Sequence, residues 1–192
     1  MNLNHKQKKA LFSLIGVSAA FIFLFFNLFV TQPIAAQDRT VVTICGTLGD
    51  ELPIVWTRDN VYNIDCDTTL DDISQLTIEA GTQISLTESE GGLNPIDFTI
   101  EGTLIVEGEV NDPVLFTTDD PFWSGIQANA GSSVTIRNAI FDKSGGVVNP
   151  LFDITNTVKI FSDQVLLDSI TFRDTLNSPV WVGNQVGSFN FS

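Results

Sequence analysis

The chain has 192 residues, with 23 Asp and Glu, nine Lys and Arg, one His and two Cys, for a formal net charge of −14. This balance excludes a nucleic-acid binder, which needs clustered Lys and Arg for phosphate contacts. It also disfavours attraction to an anionic membrane surface. The single His is His5, so the rest of the chain has no imidazole for a Ser-His-Asp triad, a Cys-His pair or a His-ligated metal.

Residues 1–36 hold no Asp or Glu but carry Lys6, Lys8 and Lys9. From Gln37 onward six basic residues face all 23 acids, a net of −17. Residues 10–30 are almost wholly apolar and include six Phe, and Thr31-Gln32-Pro33-Ile34-Ala35-Ala36 follows. A basic start, an apolar middle and a small-residue exit are the order of a secretory signal, with cleavage after Ala36 as the simplest reading. The apolar run also has about the 20 residues that span a bilayer, so an uncleaved anchor fits the same segment. Both readings place the acidic body outside the cytoplasm, secreted or at the cell surface. Membrane contact then runs only through an uncleaved leader.

Residues 37–75 are expected to supply an entry segment and an N-terminal cap. Cys45 and Cys66 are the only cysteines of an export-directed chain, so they are expected to form a disulfide. Closing the loop between them stabilises by roughly 3 kcal/mol in the chain-entropy model. Lipid attachment at Cys45 is disfavoured, because bulky Ile44 precedes it and the apolar run ends well before it.

Residues 76–192 carry a weak internal repeat. Leu76-Thr77-Ile78-Glu79-Ala80 lines up with Leu104-Ile105-Val106-Glu107-Gly108, then with Val134-Thr135-Ile136-Arg137-Asn138, then with Val165-Leu166-Leu167-Asp168-Ser169. The step from each unit to the next is nearly constant. Each unit alternates apolar and polar residues, which is a strand period and not a helix period. Turn residues separate the units at Ala80-Gly81-Thr82, Gly91-Gly92-Leu93-Asn94-Pro95, Asn111-Asp112-Pro113 and Ser144-Gly145-Gly146. An all-β chain follows, either an antiparallel sandwich or a coiled parallel sheet in which one repeat makes one turn. The near-constant spacing favours the coil. Leu76, Leu104, Val134 and Val165 then form one interior column, and Ile78, Val106, Ile136 and Leu167 the next. The stretch 182–192 is apolar without a polar cap, so a continuation of the chain or a covering partner is expected at that end.

The segment Phe98-Thr99-Ile100-Glu101-Gly102-Thr103-Leu104-Ile105-Val106-Glu107-Gly108, continuing through Asn111-Asp112-Pro113 to Val114-Leu115-Phe116-Thr117, resembles the repeat of secreted bacterial right-handed parallel β-helix proteins, the pectin-lyase-like fold. Leu76-Thr77-Ile78-Glu79-Ala80-Gly81-Thr82, Trp123-Ser124-Gly125-Ile126, Val55-Trp56-Thr57 and Val61-Tyr62-Asn63-Ile64 are similar to other segments of that family. The likeness runs from about Trp56 to Phe141 and fades after Gly146. It implies a right-handed parallel β-helix of about five coils and says little about activity.

Enzymes of the fold that cut acidic polysaccharides bind Ca²⁺ through carboxylates or use Asp pairs with basic partners. Asp119-Asp120 beside Phe122-Trp123 is the adjacent acidic pair to consider. Its setting, Thr117-Thr118-Asp119-Asp120-Pro121, reads as a turn between strands. The six bases are Arg39, Arg58, Arg137, Lys143, Lys159 and Arg173, and none accompanies a recognisable acidic set. A chain this acidic also repels a polyanion. Asp65, Asp67, Asp71 and Asp72 form the densest acidic cluster, but the stretch lacks the Gly of a calcium loop and reads as a solvated loop beside the disulfide. Trp56, Tyr62, Trp123 and Trp181 either stack on sugars or fill strand positions, and packing is the favoured reading. The sequence therefore points to a non-catalytic scaffold or adhesion-type protein that binds glycans or surface proteins, with no cofactor, metal or catalytic residue assigned. A polysaccharide lyase or glycoside hydrolase of the same fold is the alternative.

Overall fold

The computed structural model describes residues 39–49, 53–87, 96–145, 156–176, 178–183 and 190–191. The expected leader and the expected turn at 91–95 lie outside them. Among the described residues every regular element is a strand: β1 (Thr40–Leu48), β2 (Ile54–Trp56), β3 (Asn60–Leu70), β4 (Gln75–Glu79), β5 (Gln83–Leu86), β6 (Asp97–Ile100), β7 (Thr103–Glu107), β8 (Val114–Thr117), β9 (Gly125–Ala128), β10 (Ser133–Asp142), β11 (Val158–Ile160), β12 (Gln164–Arg173), β13 (Val180–Val182) and β14 (Asn190–Phe191). Residues 40–70, within the expected entry segment, are thus three strands joined to the same sheet.

All ladders between named strands are parallel, and the chain visits three of them in a fixed order. The first ladder stacks β2, β4, β7, the first half of β10, the first half of β12, and β14. The second stacks the first halves of β1 and β3, then β5, β8 and the second halves of β10 and β12. The third stacks the second halves of β1 and β3, then β6, β9, β11 and β13. We call each successive strand of a ladder a row.

The register places like residues on like. Leu76 pairs with Leu104, Leu104 with Val134 and Val134 with Val165; Ile78, Val106, Ile136 and Leu167 form the neighbouring column. All eight are buried, which bears out both expected interior columns. Half-buried and buried residues alternate along the strands, as in β5, where Ile84 and Leu86 are buried, and β6, where Phe98 and Ile100 are. Parallel sheets are ordinarily covered on both faces. Here one face of each ladder packs on the core and the other meets solvent, so each strand carries a core function and a surface function on alternate residues. Each fully buried Ile, Leu, Val or Phe on the inner face contributes about 1.5–3 kcal/mol.

In two rows a single residue makes the bend from the first ladder to the second. Asn138 (φ 47°) and Ser169 (φ 57°) take the left-handed conformation midway through β10 and β12, in adjacent rows. Asn tolerates this conformation better than most residues do, and its Nδ2 also donates to the Gly108 carbonyl of the row below at 3.0 Å. The chain thereby turns from the first ladder into the second without a loop.

The expected disulfide is present. It joins Cys45 on β1 to Cys66 on β3 with a Cα–Cα distance of 5.1 Å. It sits at the register irregularity between Ile44 and Gly46, where each strand passes from the second ladder to the third. The bridge therefore ties the first row to the next where hydrogen bonding is interrupted.

Candidate functional site

The outward face of the third ladder carries the most chemistry. One outward column runs Thr69, Thr99, Gln127, Lys159 and Trp181, one residue from each successive row. Its inward neighbours Leu70, Ile100, Ala128 and Ile160 are fully buried, so the strand alternation forces this column toward solvent. Beyond the strands the stacking continues for one more residue. The Glu101 amide donates to the Leu70 carbonyl, that of Asn129 to Ile100 and that of Phe161 to Ala128, each at 2.8–2.9 Å. Glu101, Asn129 and Phe161 are thereby held beside the column in consecutive rows.

These residues line an open groove of about 970 Å³, with Asp72, Glu101, Gln127, Asn129, Phe161 and Trp181 in its wall. Trp181 is 41% exposed and Phe161 38% exposed, and their rings meet edge to face at 5.1 Å. Gly183 makes room for the pair, because a side chain there would press within 3.1 Å of the Phe161 ring and 3.4 Å of the Trp181 ring. A polar relay lies alongside. Gln127 Nε2 donates to Asn129 Oδ1 at 2.9 Å, and Asn129 Nδ2 donates to Glu101 Oε1 at 3.4 Å. The relay orders both amides and leaves them, with the carboxylate, further donor and acceptor capacity.

A second cluster borders the groove. Lys159 Nζ approaches Asp97 Oδ1 at 3.7 Å, and Asp67 Oδ1 accepts the Asp97 amide at 3.0 Å. The Asp97 side chain keeps 42% of its surface toward solvent, yet its Oδ1 is enclosed. Burial pushes the Asp97 carboxyl above its ordinary range; nearby Asp67 pushes the same way, while Lys159 and a hydrogen bond from Ser124 oppose the rise. Gly125 lies beside Asp97 in the next row, at φ 137°. The Asn156 and Thr157 carbonyls of the following row lie so close that no side chain fits there.

The residues singled out from sequence separate into distinct settings. Trp56 and Tyr62 are buried and stacked at 4.5 Å, with the Tyr62 hydroxyl accepting the Thr57 amide at 3.0 Å. Trp123 is fully buried, stacks on Phe116 and Phe141, and donates from Nε1 to the Asp142 carbonyl at 3.0 Å. Packing accounts for these three, while Trp181 alone of the four faces solvent. Asp119 and Asp120 occupy the turn after β8, with their amides donating to the Thr87 and Thr118 hydroxyls. Lys143 Nζ donates to the Thr118 carbonyl of that turn.

The four clustered aspartates do different things. Asp67 holds the Asp97 amide, Asp72 lines the groove, and one Asp71 carboxylate oxygen is enclosed. A carboxylate oxygen of Asp65 lies within 4.8 Å of the Cys45 and Cys66 sulfurs. Those sulfurs are spent in the disulfide, which removes the thiolates a metal would bind. Sequence reasoning missed Glu101, Gln127, Asn129 and Phe161. The register of the third ladder brings them together: Phe98-Thr99-Ile100-Glu101, Ile126-Gln127-Ala128-Asn129 and Val158-Lys159-Ile160-Phe161 align row on row.

No family model, curated protein or solved structure matches this chain.

Proposed function

We propose that the chain is a right-handed parallel β-helix, exported to the cell surface or beyond, that serves as a scaffold and binds glycans or surface proteins without cleaving them. The winding is supported by five complete passes through the three ladders, with β1 before and β14 after them. Right-handedness follows from the general preference of parallel crossover connections. Export is supported by the leader pattern in residues 1–36 and by the Cys45–Cys66 bridge, since disulfides persist in oxidising compartments.

The observation that carries the binding reading is the groove on the third ladder. Two aromatic side chains are exposed there, beside ordered amides and carboxylates, although the inward Leu70, Ile100, Ala128 and Ile160 of the same ladder are fully buried. A concave site with an apolar platform and a few convergent polar groups is the usual form of a ligand site. Binding measured on a glycan array and against surface proteins, with wild type and Trp181→Ala side by side, tests it. Binding that Trp181→Ala abolishes supports the reading, and binding that the substitution leaves intact refutes this site.

One observation favours the second reading, a lyase or glycoside hydrolase. Asp97 has a raised pKa beside a second carboxylate, Asp67, and beside Lys159, which stands in the outward column between the groove residues Gln127 and Trp181. A carboxyl with a raised pKa beside a second carboxyl group is an arrangement from which general acid catalysis of glycosyl transfer can be built. Release of reducing ends from polysaccharides, lost in Asp97→Asn, establishes that activity; its absence across neutral and acidic polymers leaves the binding scaffold.

A further inference from the structure

We propose that the groove binds a neutral oligosaccharide, with one sugar ring stacked on Trp181 beside the Phe161 edge-to-face partner and its hydroxyls bonded by the Gln127–Asn129–Glu101 relay. The proposal rests on the binding reading above and narrows it to a ligand class. A pyranose has an apolar face of C–H groups and a rim of hydroxyls. The first fits the electron-rich face of an exposed indole. The second fits amides and carboxylates, and a carboxylate accepts from a hydroxyl in a charge-assisted bond. Both features occur side by side here, with Trp181 and Phe161 at one end and Glu101 and Asp72 at the other.

Charge selects against acidic sugars. The groove wall carries Asp72 and Glu101, and the nearest cation in the column, Lys159, is turned to Asp97 with its side chain only 18% exposed. A uronate or sulfated sugar therefore meets carboxylates that Lys159 does not offset. Length selects against a single sugar. Asp72, Glu101, Asn129, Phe161 and Trp181 belong to five successive rows. Adjacent strands lie about 4.8 Å apart, so the groove extends roughly 19 Å along the stack, enough for a short oligosaccharide.

The test is titration of the full chain with cellohexaose, mannohexaose and hexagalacturonate, followed by tryptophan fluorescence and calorimetry. Trp56 and Trp123 are 2% and 0% exposed, so a ligand-induced emission change reports on Trp181. At least one neutral hexasaccharide is expected to bind and shift the emission. Trp181→Ala is expected to weaken it by tenfold or more, Gln127→Ala by several-fold, and Trp181→Phe to retain part of the affinity, with unchanged circular dichroism in each. Hexagalacturonate is expected to bind at least tenfold more weakly and to gain on Glu101→Gln. Trp181-dependent binding of hexagalacturonate in preference to both neutral sugars overturns the ligand class and leaves the binding-surface reading standing. Neutral binding that ignores Trp181 and Gln127, or no binding of either neutral sugar, overturns the proposal. Cleavage of a bound neutral sugar overturns the non-catalytic reading but supports the ligand class.

Discussion

Aromatic rings occupy two settings on the same framework. Phe116 and Phe141 stack inside at 4.8 Å with nearly parallel planes, and Phe172 continues the stack at 5.6 Å from Phe141. Phe116 and Phe141 are fully buried, whereas Phe161 and Trp181 face water at 38% and 41%. What separates the two groups is phase along the strand. A shift of one residue moves a side chain from the core face to the solvent face. In this chain an inward aromatic is a stability element, and an outward aromatic is free to be a binding element.

Substitutions can break that division, and the largest effect belongs to the core. Ile136→Asp places an unpaired charge in a fully buried column between Val106 and Leu167. An uncompensated buried charge costs several kcal/mol, enough to unfold a domain of ordinary stability. Loss of the strand circular dichroism signal at 25 °C is the expected result, and a folded variant shows that the column is not sealed from water. Phe141→Ala comes next. Removing a fully buried Phe costs about 3–5 kcal/mol, measured as a lower denaturation midpoint. The matched surface change, Trp181→Ala, is expected to move stability by less than about 1 kcal/mol while removing most of the ligand affinity. Equal losses of stability from the two substitutions show that both rings are structural.

The first ladder was legible in the sequence and the site was not, for a physical reason. Inward positions accept only apolar residues of similar size, so Leu76, Leu104, Val134 and Val165 keep a recognisable pattern across rows. Outward positions obey no such constraint. Thr69, Thr99, Gln127, Lys159 and Trp181 share a column but no chemistry, so no repeat exposes them. Register alone brings them together, and the register of the third ladder depends on how much chain each turn spends reaching it. That length varies: the step from Gln127 to Lys159 is much longer than the step from Lys159 to Trp181, although each climbs a single row. The disulfide was readable from cysteine count and export, without knowledge of the rows it joins.

In stability, the bridge ranks just below Phe141→Ala. Cys45→Ser with Cys66→Ser removes a constraint across a sequence separation of 21, expected to cost roughly 3 kcal/mol. The loss is expected at the β1–β3 end, so hydrogen exchange should rise first in β1, whose partner among the described residues is β3. Groove ligands should still bind the variant under conditions where it is folded. Uniform acceleration of exchange across all rows contradicts a local tie and indicates that the first row nucleates the rest.

The smallest effect separates the acidic cluster from the groove it borders. The Asp97 carboxyl lies above its ordinary value of 3.8 in the folded protein, through burial first and Asp67 second, against the pull of Lys159. A group with a raised folded pKa holds its proton more tightly in the folded state. Its contribution is therefore fully present below 3.8 and is lost as pH rises through the folded value. Asn at this position keeps the shape and cannot ionise. The stability difference, Asp97→Asn minus wild type, is expected to rise with pH across that window and then level off. Thermal melts of both proteins between pH 3 and 8 measure it, and taking the difference cancels the titration of carboxylates common to both. A difference that falls with rising pH means that the attraction to Lys159 outweighs burial and that the carboxylate is held ionised. In that case the Asp97 proton is not available for acid catalysis, and the hydrolase reading loses the observation that favours it.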